Sequence, residues 1–238
     1  MFGMFDWNDL AVLGGIIGVD LVMSGDNAVI IALASQRLSE KMKKRVMLFG
    51  CLAAVALRIL LTSVAVTLLE LPYLKIMGGL VLVWIAYKLM ASSHDDVNCK
   101  EASCVMEAVK TILIADAVMS MDNVLALAAV ARNSQHEYLF LMFGLLLSLP
   151  IVMFGASMVS RLLERYPVLV YVGSGILLYA AGELIVSEPF LAGSWIDAYH
   201  LAFIGGLTFG MLGLGYWKNT RSAAGEEELA LVAETADE

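Results

Sequence analysis

The sequence predicts an all-α, multi-pass membrane protein with seven transmembrane helices, arranged as two inverted three-helix repeats plus one extra helix. Hydrophobic residues make up 60% of the chain and charged residues only 16%, whereas soluble domains carry about 25% charged residues. In addition, the segment 20–27 recurs as the segment 116–123, with Asp, Met, Ser, Asp and Asn at corresponding places. Both copies lie inside long apolar stretches, so the repeated unit belongs to the membrane.

Apolar segments of the length needed to cross a bilayer, about 20 residues, determine the predicted spans. They cover residues 10–34, 46–69, 72–91, 105–131, 137–160, 167–187 and 199–217. Residues 1–91 form the first repeat, 92–104 a cytoplasmic linker, 105–187 the second repeat, and 188–217 carry span 7. The acidic residues 218–238 are expected to form a disordered tail, because charged polar segments cannot bury enough apolar surface to fold.

The basic residues predict the orientation in the membrane, since Lys and Arg accumulate in cytoplasmic loops. Five of them lie between spans 1 and 2, namely Arg37, Lys41, Lys43, Lys44 and Arg45. This asymmetry predicts a multi-pass plasma (bacterial inner) membrane protein with its N-terminus outside and its C-terminus in the cytoplasm. Span 1 then runs opposite to span 4, which makes the two repeats inverted, as in many transporters.

The cysteines do not predict a disulfide framework. Cys99 and Cys104 fall in the linker that we place in the cytoplasm, where thiols stay reduced.

The repeated motif places polar side chains on one arc of a helix, because each residue turns by about 100°. Carboxylates inside a membrane cost roughly 2.5–3.5 kcal/mol each, so a functional site explains them better than packing does. Oxygen ligands suit hard divalent cations, and a thioether would shift the preference toward Mn²⁺. The predicted metal ligands are Asp20, Asp26, Asn27, Asp116, Asp122 and Asn123, with Met23, Met119, Ser24 and Ser120 as additional ligands. The methionines could instead fill the core.

Two arrangements of these ligands are open. Antiparallel packing would bring Asp20 level with Asp122, and Asp26 level with Asp116. Alternatively, a break at Gly25 would unwind span 1 and add backbone carbonyls to the site. The second copy has Met121 at the equivalent place, so the two repeats differ there.

Two further charged residues are candidates for supporting roles. Arg58 lies in the middle of span 2, where it could pair with an aspartate and hold the unloaded site neutral. Glu183, near the outer end of span 6, is a candidate proton-path or exit-path residue, or else reaches the membrane interface as a structural residue.

The doubled D-x-x-x-S-x-D-N motif, the seven spans, the basic first loop and the acidic tail together resemble the TerC family of integral membrane proteins, over roughly residues 10–217. This family is similar to the LysE-type transporter superfamily, and its compact members are associated with manganese export. The resemblance implies Mn²⁺ efflux through the Asp/Asn site, with Mn²⁺ as transported substrate and no prosthetic group.

Other functions are the alternatives to metal export. The chain could export amino acids or other small solutes, or act as a non-transport scaffold in metal or tellurite resistance. No enzymatic activity is expected, because the motif lacks the flanking residues of intramembrane aspartyl proteases. The expected partners are the lipid bilayer and a divalent cation, with no nucleic acid. If four carboxylates share one site, the cation should displace protons and export could be proton-coupled.

Overall fold

The computed structural model describes residues 7–36, 38–69, 73–91, 101–131 and 137–236, and the regular structure within them is helical. The α-helices are α1 (Trp7–Val22), α2 (Gly25–Ser35), α3 (Glu40–Leu69), α4 (Leu74–Ala91), α5 (Glu101–Ala131), α6 (Glu137–Arg165), α7 (Leu169–Val186), α8 (Trp195–Ala198) and α9 (His200–Ala236). A 3₁₀ turn covers Pro189–Leu191. The all-helical prediction is therefore confirmed.

The helices include several that can cross a membrane. Among the described residues, four are long and apolar enough, and the count is five if α1 and α2 form one broken span. Within the described residues, every predicted apolar segment is mainly helical, and the segment 10–34 is divided between α1 and α2. The count of seven spans stays a prediction.

The first motif copy interrupts its helix, whereas the second does not. α1 ends at Val22 and α2 begins at Gly25, with a bend of 48° between them. Glycine has a low helix propensity, and Met121 stands at the equivalent place of the continuous helix α5. Of the two arrangements that the sequence leaves open, the break at Gly25 is thus present.

Glycines allow the spans to approach each other closely. α3 packs against α5, and α1 and α2 pack against α6. A Cβ atom on Gly50 of α3 would lie 3.1 Å from Ile112 Cδ1 of α5, and one on Gly144 of α6 would clash with Ile16 of α1. These two pairs of helices surround the motif residues.

α4 and α7 form an antiparallel pair that packs beside this centre. Gly79 of α4 meets Ala181 and Ile185 near the end of α7. At the opposite end of the pair, Asn219 of α9 donates one hydrogen bond to the Met90 carbonyl oxygen (3.2 Å) and one to the Tyr171 hydroxyl (2.9 Å). α9 therefore covers both helices of the pair.

Buried and exposed ion pairs join helix ends. The Lys43 ammonium at the start of α3 contacts Glu40 (3.2 Å) and also Glu164 at the end of α6. Arg45 of α3 contacts Glu101 of α5 at 2.6 Å. At another helix end, the Glu188 carboxylate accepts hydrogen bonds from the first backbone N–H groups around the start of α4, which stabilises a helix N-terminus.

Two expectations differ from the structure. α9 continues to Ala236, so the backbone of most of the predicted disordered tail is helical, because its Ala, Glu and Leu residues favour helix. Cys104 is part of a disulfide, in contrast to the reduced thiols expected in the linker; residues 92–100, including Cys99, lie outside the described residues.

Candidate intramembrane ion site

One arginine connects the two motif copies. The Arg58 guanidinium of α3 donates from Nη1 to Asp20 Oδ1 of α1 and from Nη2 to Asp116 Oδ1 of α5, the latter at 2.9 Å. The side chains are only 5% exposed for Arg58 and 4% for each aspartate. We refer to Asp20, Arg58 and Asp116 as the ionic triad.

The triad brings together Asp20 and Asp116, a pair that the level arrangement of two straight helices does not include. Antiparallel packing alone would bring Asp20 level with Asp122, but Asp20 shares its counter-ion with Asp116. The 48° bend after α1 changes the direction of the chain directly beyond Asp20, so the geometry of two straight helices does not apply. The Asp122 side chain lies outside the described residues.

Neutral side chains add further hydrogen bonds to the triad. The Ser148 hydroxyl of α6 donates to Asp20 Oδ2, and the Leu145 carbonyl oxygen lies 2.9 Å from the same hydroxyl. Arg58 Nη1 lies 3.3 Å from the Ser24 hydroxyl oxygen, which accepts from it. Asp20 is therefore held by both a cation and a hydroxyl.

A cavity of about 30 Å³ adjoins the triad, a volume sufficient for a water molecule or a small ion. Its polar lining consists of Asp20, Ser24, Asn27, Arg58, Asp116 and Ser148, and the thiol-bearing Cys51 also lines it. Two buried acceptor atoms of this lining, Asp116 Oδ2 and Asn27 Oδ1, have no hydrogen-bond partner among the described residues. Because unpartnered buried oxygens are costly, these atoms favour a bound cation or water.

The remaining residues of the first motif lie at the break between α1 and α2. The Asp26 carboxylate accepts a hydrogen bond from the Asn27 backbone N–H (2.8 Å), and the Asn27 side-chain amide is 3.4 Å from the Met23 carbonyl oxygen. Asp26 and Met23 are half-buried, and neither is part of the cavity lining. Asp26 nevertheless lies within electrostatic range of Arg58 and Asp116.

The second motif contributes fewer residues to the cavity. Ser120 and Asn123 are buried on α5, but Asp116 is the motif residue that lines the cavity from this helix. Met119 packs against the apolar core. Glu183 lies exposed on α7, away from the cavity, and accepts a hydrogen bond of 2.8 Å from the Tyr179 hydroxyl.

Sequence reasoning did not single out Ser148 or Cys51 as members of the site. A hydroxyl within the apolar run Leu145–Pro150 is a detectable signal for Ser148. Pro150 cannot donate a backbone hydrogen bond to the turn before it, so α6 is locally weakened beside the cavity. Cys51 is buried and reduced, and no pattern in the sequence distinguishes it from an ordinary core residue.

The arrangement is a preformed anionic pocket that already contains a cationic side chain, the Arg58 guanidinium. Within the described part of the chain, no three His, Cys, Asp or Glu side chains are grouped closely enough to hold a metal ion. Two carboxylates from different helices do converge, and the oxygen atoms of three neutral side chains surround them. Such a pocket presents carboxylate, amide and hydroxyl oxygens, which are the ligand types that hard cations prefer.

Apolar helices of membrane-spanning length around a buried ionic pocket define an integral membrane protein. The sequence profile of the family described as "Integral membrane protein TerC family" matches residues 5–223. The chain belongs to this family.

Relatives of the chain are bacterial membrane proteins. It is 41% identical to the membrane protein YjbE of Bacillus subtilis over 177 residues, which cover 74% of this chain and 80% of YjbE. It is 24% identical to the inner membrane protein YgdQ of Escherichia coli K12, over 78% of this chain and 86% of YgdQ. Membrane protein YkoY of Bacillus subtilis is also 24% identical, over 77% of this chain and 66% of YkoY. No solved structure matches the chain significantly.

Proposed function

We propose that the protein exports a divalent metal cation, Mn²⁺, across the plasma membrane through the cavity beside the ionic triad. The observation that carries this proposal is the convergence of Asp20 and Asp116, one from each motif copy, on one buried cavity with unpartnered acceptor oxygens. Intramembrane ionisable residues that line a cavity typically mark an ion pathway. The cation enters as the transported substrate, and no chemical conversion is involved.

The proposed architecture is seven spans, with two inverted repeats formed by the segments before and after the linker. The glycine contacts support it, because Gly50 against Ile112 and Gly144 against Ile16 are equivalent contacts with the two halves exchanged. The antiparallel pair of α4 and α7, the third spans of the two halves, supports it as well. In this arrangement α5 and α9 complete the seven spans, with the N-terminus outside.

The lining of the cavity supports the same symmetry and indicates where it is broken. Aligning Gly50 with Gly144 pairs Ala54 with Ser148 and Arg58 with Val152, and these four residues all line the cavity. The first half thus contributes the Arg58 guanidinium, and the second half contributes the Ser148 hydroxyl. A site between two such halves can open alternately to either side of the membrane.

The preference for manganese is proposed from the family resemblance together with the ligand chemistry. Carboxylate, amide and hydroxyl oxygens accept Mg²⁺, Ca²⁺ and Mn²⁺, whereas a sulfur ligand favours transition metals. Cys51 lines the cavity, whereas Met23 and Met119 do not. The Cys51 sulfur is therefore better placed than either methionine sulfur to contact a bound metal ion. Proton entry is the proposed driving reaction for export.

Transport measurements in inside-out vesicles test this function. We expect wild-type vesicles to accumulate Mn²⁺. The Asp20→Asn and Asp116→Asn variants should transport it at least about tenfold more slowly, which corresponds to an activation free energy higher by roughly 1.4 kcal/mol or more. Glu107→Gln is the control, because Glu107 is an exposed acid that pairs with Lys88 on the surface. Accumulation that is unchanged in both aspartate variants, at equal protein levels, would exclude the proposed pathway.

A further inference from the structure

We propose that Arg58 is a tethered competitor of the transported cation, which moves from the Asp20–Asp116 pair to Asp26 when a metal ion binds. This inference rests on the proposed function and concerns the regulation of the same site. It gives Asp26 a role as the acceptor of an arginine, in place of the metal-ligand role that the sequence predicts.

The first support is that the guanidinium occupies the oxygens that a metal ion needs. Its two terminal nitrogens contact Asp20 Oδ1 and Asp116 Oδ1, and the Ser24 hydroxyl oxygen accepts from the same group. A divalent cation that binds between the two carboxylates competes with the guanidinium for them, because oxygen ligands surround such ions closely. Arg58 and the metal ion are therefore rivals for the same pair of aspartates.

The second support is the charge of the site. Two carboxylates and one guanidinium leave a single net negative charge in a buried environment. A divalent cation added to all three would leave a net positive charge, whereas the same cation with the two carboxylates alone is neutral. Buried charge is unfavourable without a partner, so displacement of Arg58 accompanies metal binding.

The third support is that a second acceptor lies nearby. Asp26 is within electrostatic range of Arg58 and is placed two residues beyond Ser24, which Arg58 already contacts. Asp26 is only half-buried and does not line the cavity, so it is accessible to a side chain that leaves the cavity. The Nε atom of Arg58 has no hydrogen-bond partner among the described residues, so the guanidinium is held at its end alone.

A double-mutant cycle on the purified full-length protein tests this exchange. Mn²⁺ binding is measured by titration calorimetry for the wild type, Arg58→Gln, Asp26→Asn and the double variant. We expect Arg58→Gln to bind Mn²⁺ about tenfold more tightly, because the competitor is removed. Asp26→Asn should weaken binding in the wild type and have no effect in the Arg58→Gln background, where no arginine needs an acceptor.

Two controls keep the result interpretable. Asp20→Asn should lose binding in either background, because Asp20 contacts the metal ion directly in this scheme. Arg58→Lys carries the test if Arg58→Gln does not fold; its ammonium cannot contact both carboxylates in the same way, so a smaller gain in affinity is expected. Mn²⁺ should also raise the melting temperature of the tighter-binding variant more than that of the wild type.

The outcomes separate this inference from the proposed function. A folded Arg58→Gln or Arg58→Lys variant that binds Mn²⁺ no more tightly than the wild type overturns the inference and leaves metal transport standing. An equal loss from Asp26→Asn in both backgrounds identifies Asp26 as a metal ligand and also overturns it. If neither the wild type nor the Arg58 variants bind Mn²⁺, the proposed function fails and the inference fails with it.

Discussion

At the scale of single residues, the burial of three charged side chains at the site is costly, and their hydrogen bonds and ion pairs with one another and with neighbouring groups offset that cost. Removing one member of a buried ion pair leaves an uncompensated charge and typically costs about 3–5 kcal/mol. Arg58 compensates two carboxylates at once, and Ser148 satisfies a second oxygen of Asp20. Asp116 Oδ2 has no hydrogen-bond partner among the described residues, and Ala54 stands at the place that corresponds to Ser148. The two motif aspartates are therefore chemically unequal.

This inequality predicts that Ser148→Ala lowers the free energy of unfolding by more than the small change in side-chain volume suggests. Loss of the hydroxyl leaves Asp20 Oδ2 without its donor, and an unsatisfied buried acceptor costs about 1–3 kcal/mol. The measurement is thermal unfolding in detergent, together with Mn²⁺ transport. Ser174→Ala is the matched control, because Ser174 is fully buried and its hydroxyl has no partner among the described residues. A similar loss in both variants would show that the contact with Asp20 is unimportant.

At the scale of helices, glycine positions decide which pairs approach closely. α4 and α7 meet at Gly79, where a Cβ atom would lie 2.8 Å from the Ala181 backbone oxygen and would clash with Ile185. A backbone atom cannot move aside as a side chain can. The contact therefore requires glycine, although glycine is intrinsically unfavourable within a helix.

Gly79→Ala is expected to destabilise the protein despite the higher helix propensity of alanine. Overpacking typically costs about 2 kcal/mol, which is more than the roughly 1 kcal/mol that alanine gains over glycine in a helix. Gly206→Ala on α9 is the matched control, because nothing lies within 4 Å of its Cβ position, and it should be neutral or stabilising. Melting temperatures of the two variants compare them directly. Equal melting temperatures would contradict the close contact between α4 and α7.

At the scale of the whole molecule, the packing contacts agree with the proposed exchange of two halves. α3 packs against α5 as α1 and α2 pack against α6, while α4 and α7 pack against each other. The break between α1 and α2 has no counterpart in α5, so the halves differ where the site is formed. α9 stands outside this relationship and covers the α4–α7 pair.

The proposed inverted arrangement predicts that α5 crosses the membrane from inside to outside. Alkaline phosphatase fused after residue 98 should be inactive, because this enzyme folds only outside the cytoplasm, and fused after residue 134 it should be active. Green fluorescent protein at the C-terminus should be fluorescent. Equal phosphatase activity at positions 98 and 134 would mean that α5 does not cross, and the inverted repeat would have to be abandoned.

The sequence by itself determined that the chain is helical and that it carries a duplicated motif, and it offered Asp20, Ser24 and Asn27 as candidate site residues. A span of about 20 apolar residues must satisfy its backbone groups within its own helix, so composition and length suffice to locate it. Asp20, Asp116 and Arg58 were all candidates, because charged residues inside apolar segments are rare and costly. The sequence left a break at Gly25 as one of two alternative arrangements of the site.

Only the tertiary structure decided which aspartates meet. Asp20 and Asp116 converge on Arg58 because the chain bends after α1 and because glycines bring α3 close to α5 and α6 close to α1. These distances depend on the tilt and depth of packing of helices that are far apart in sequence, which periodicity does not encode. For the same reason the sequence did not predict that Ser148 and Cys51 line the cavity, or that Glu183 and Met119 lie away from it.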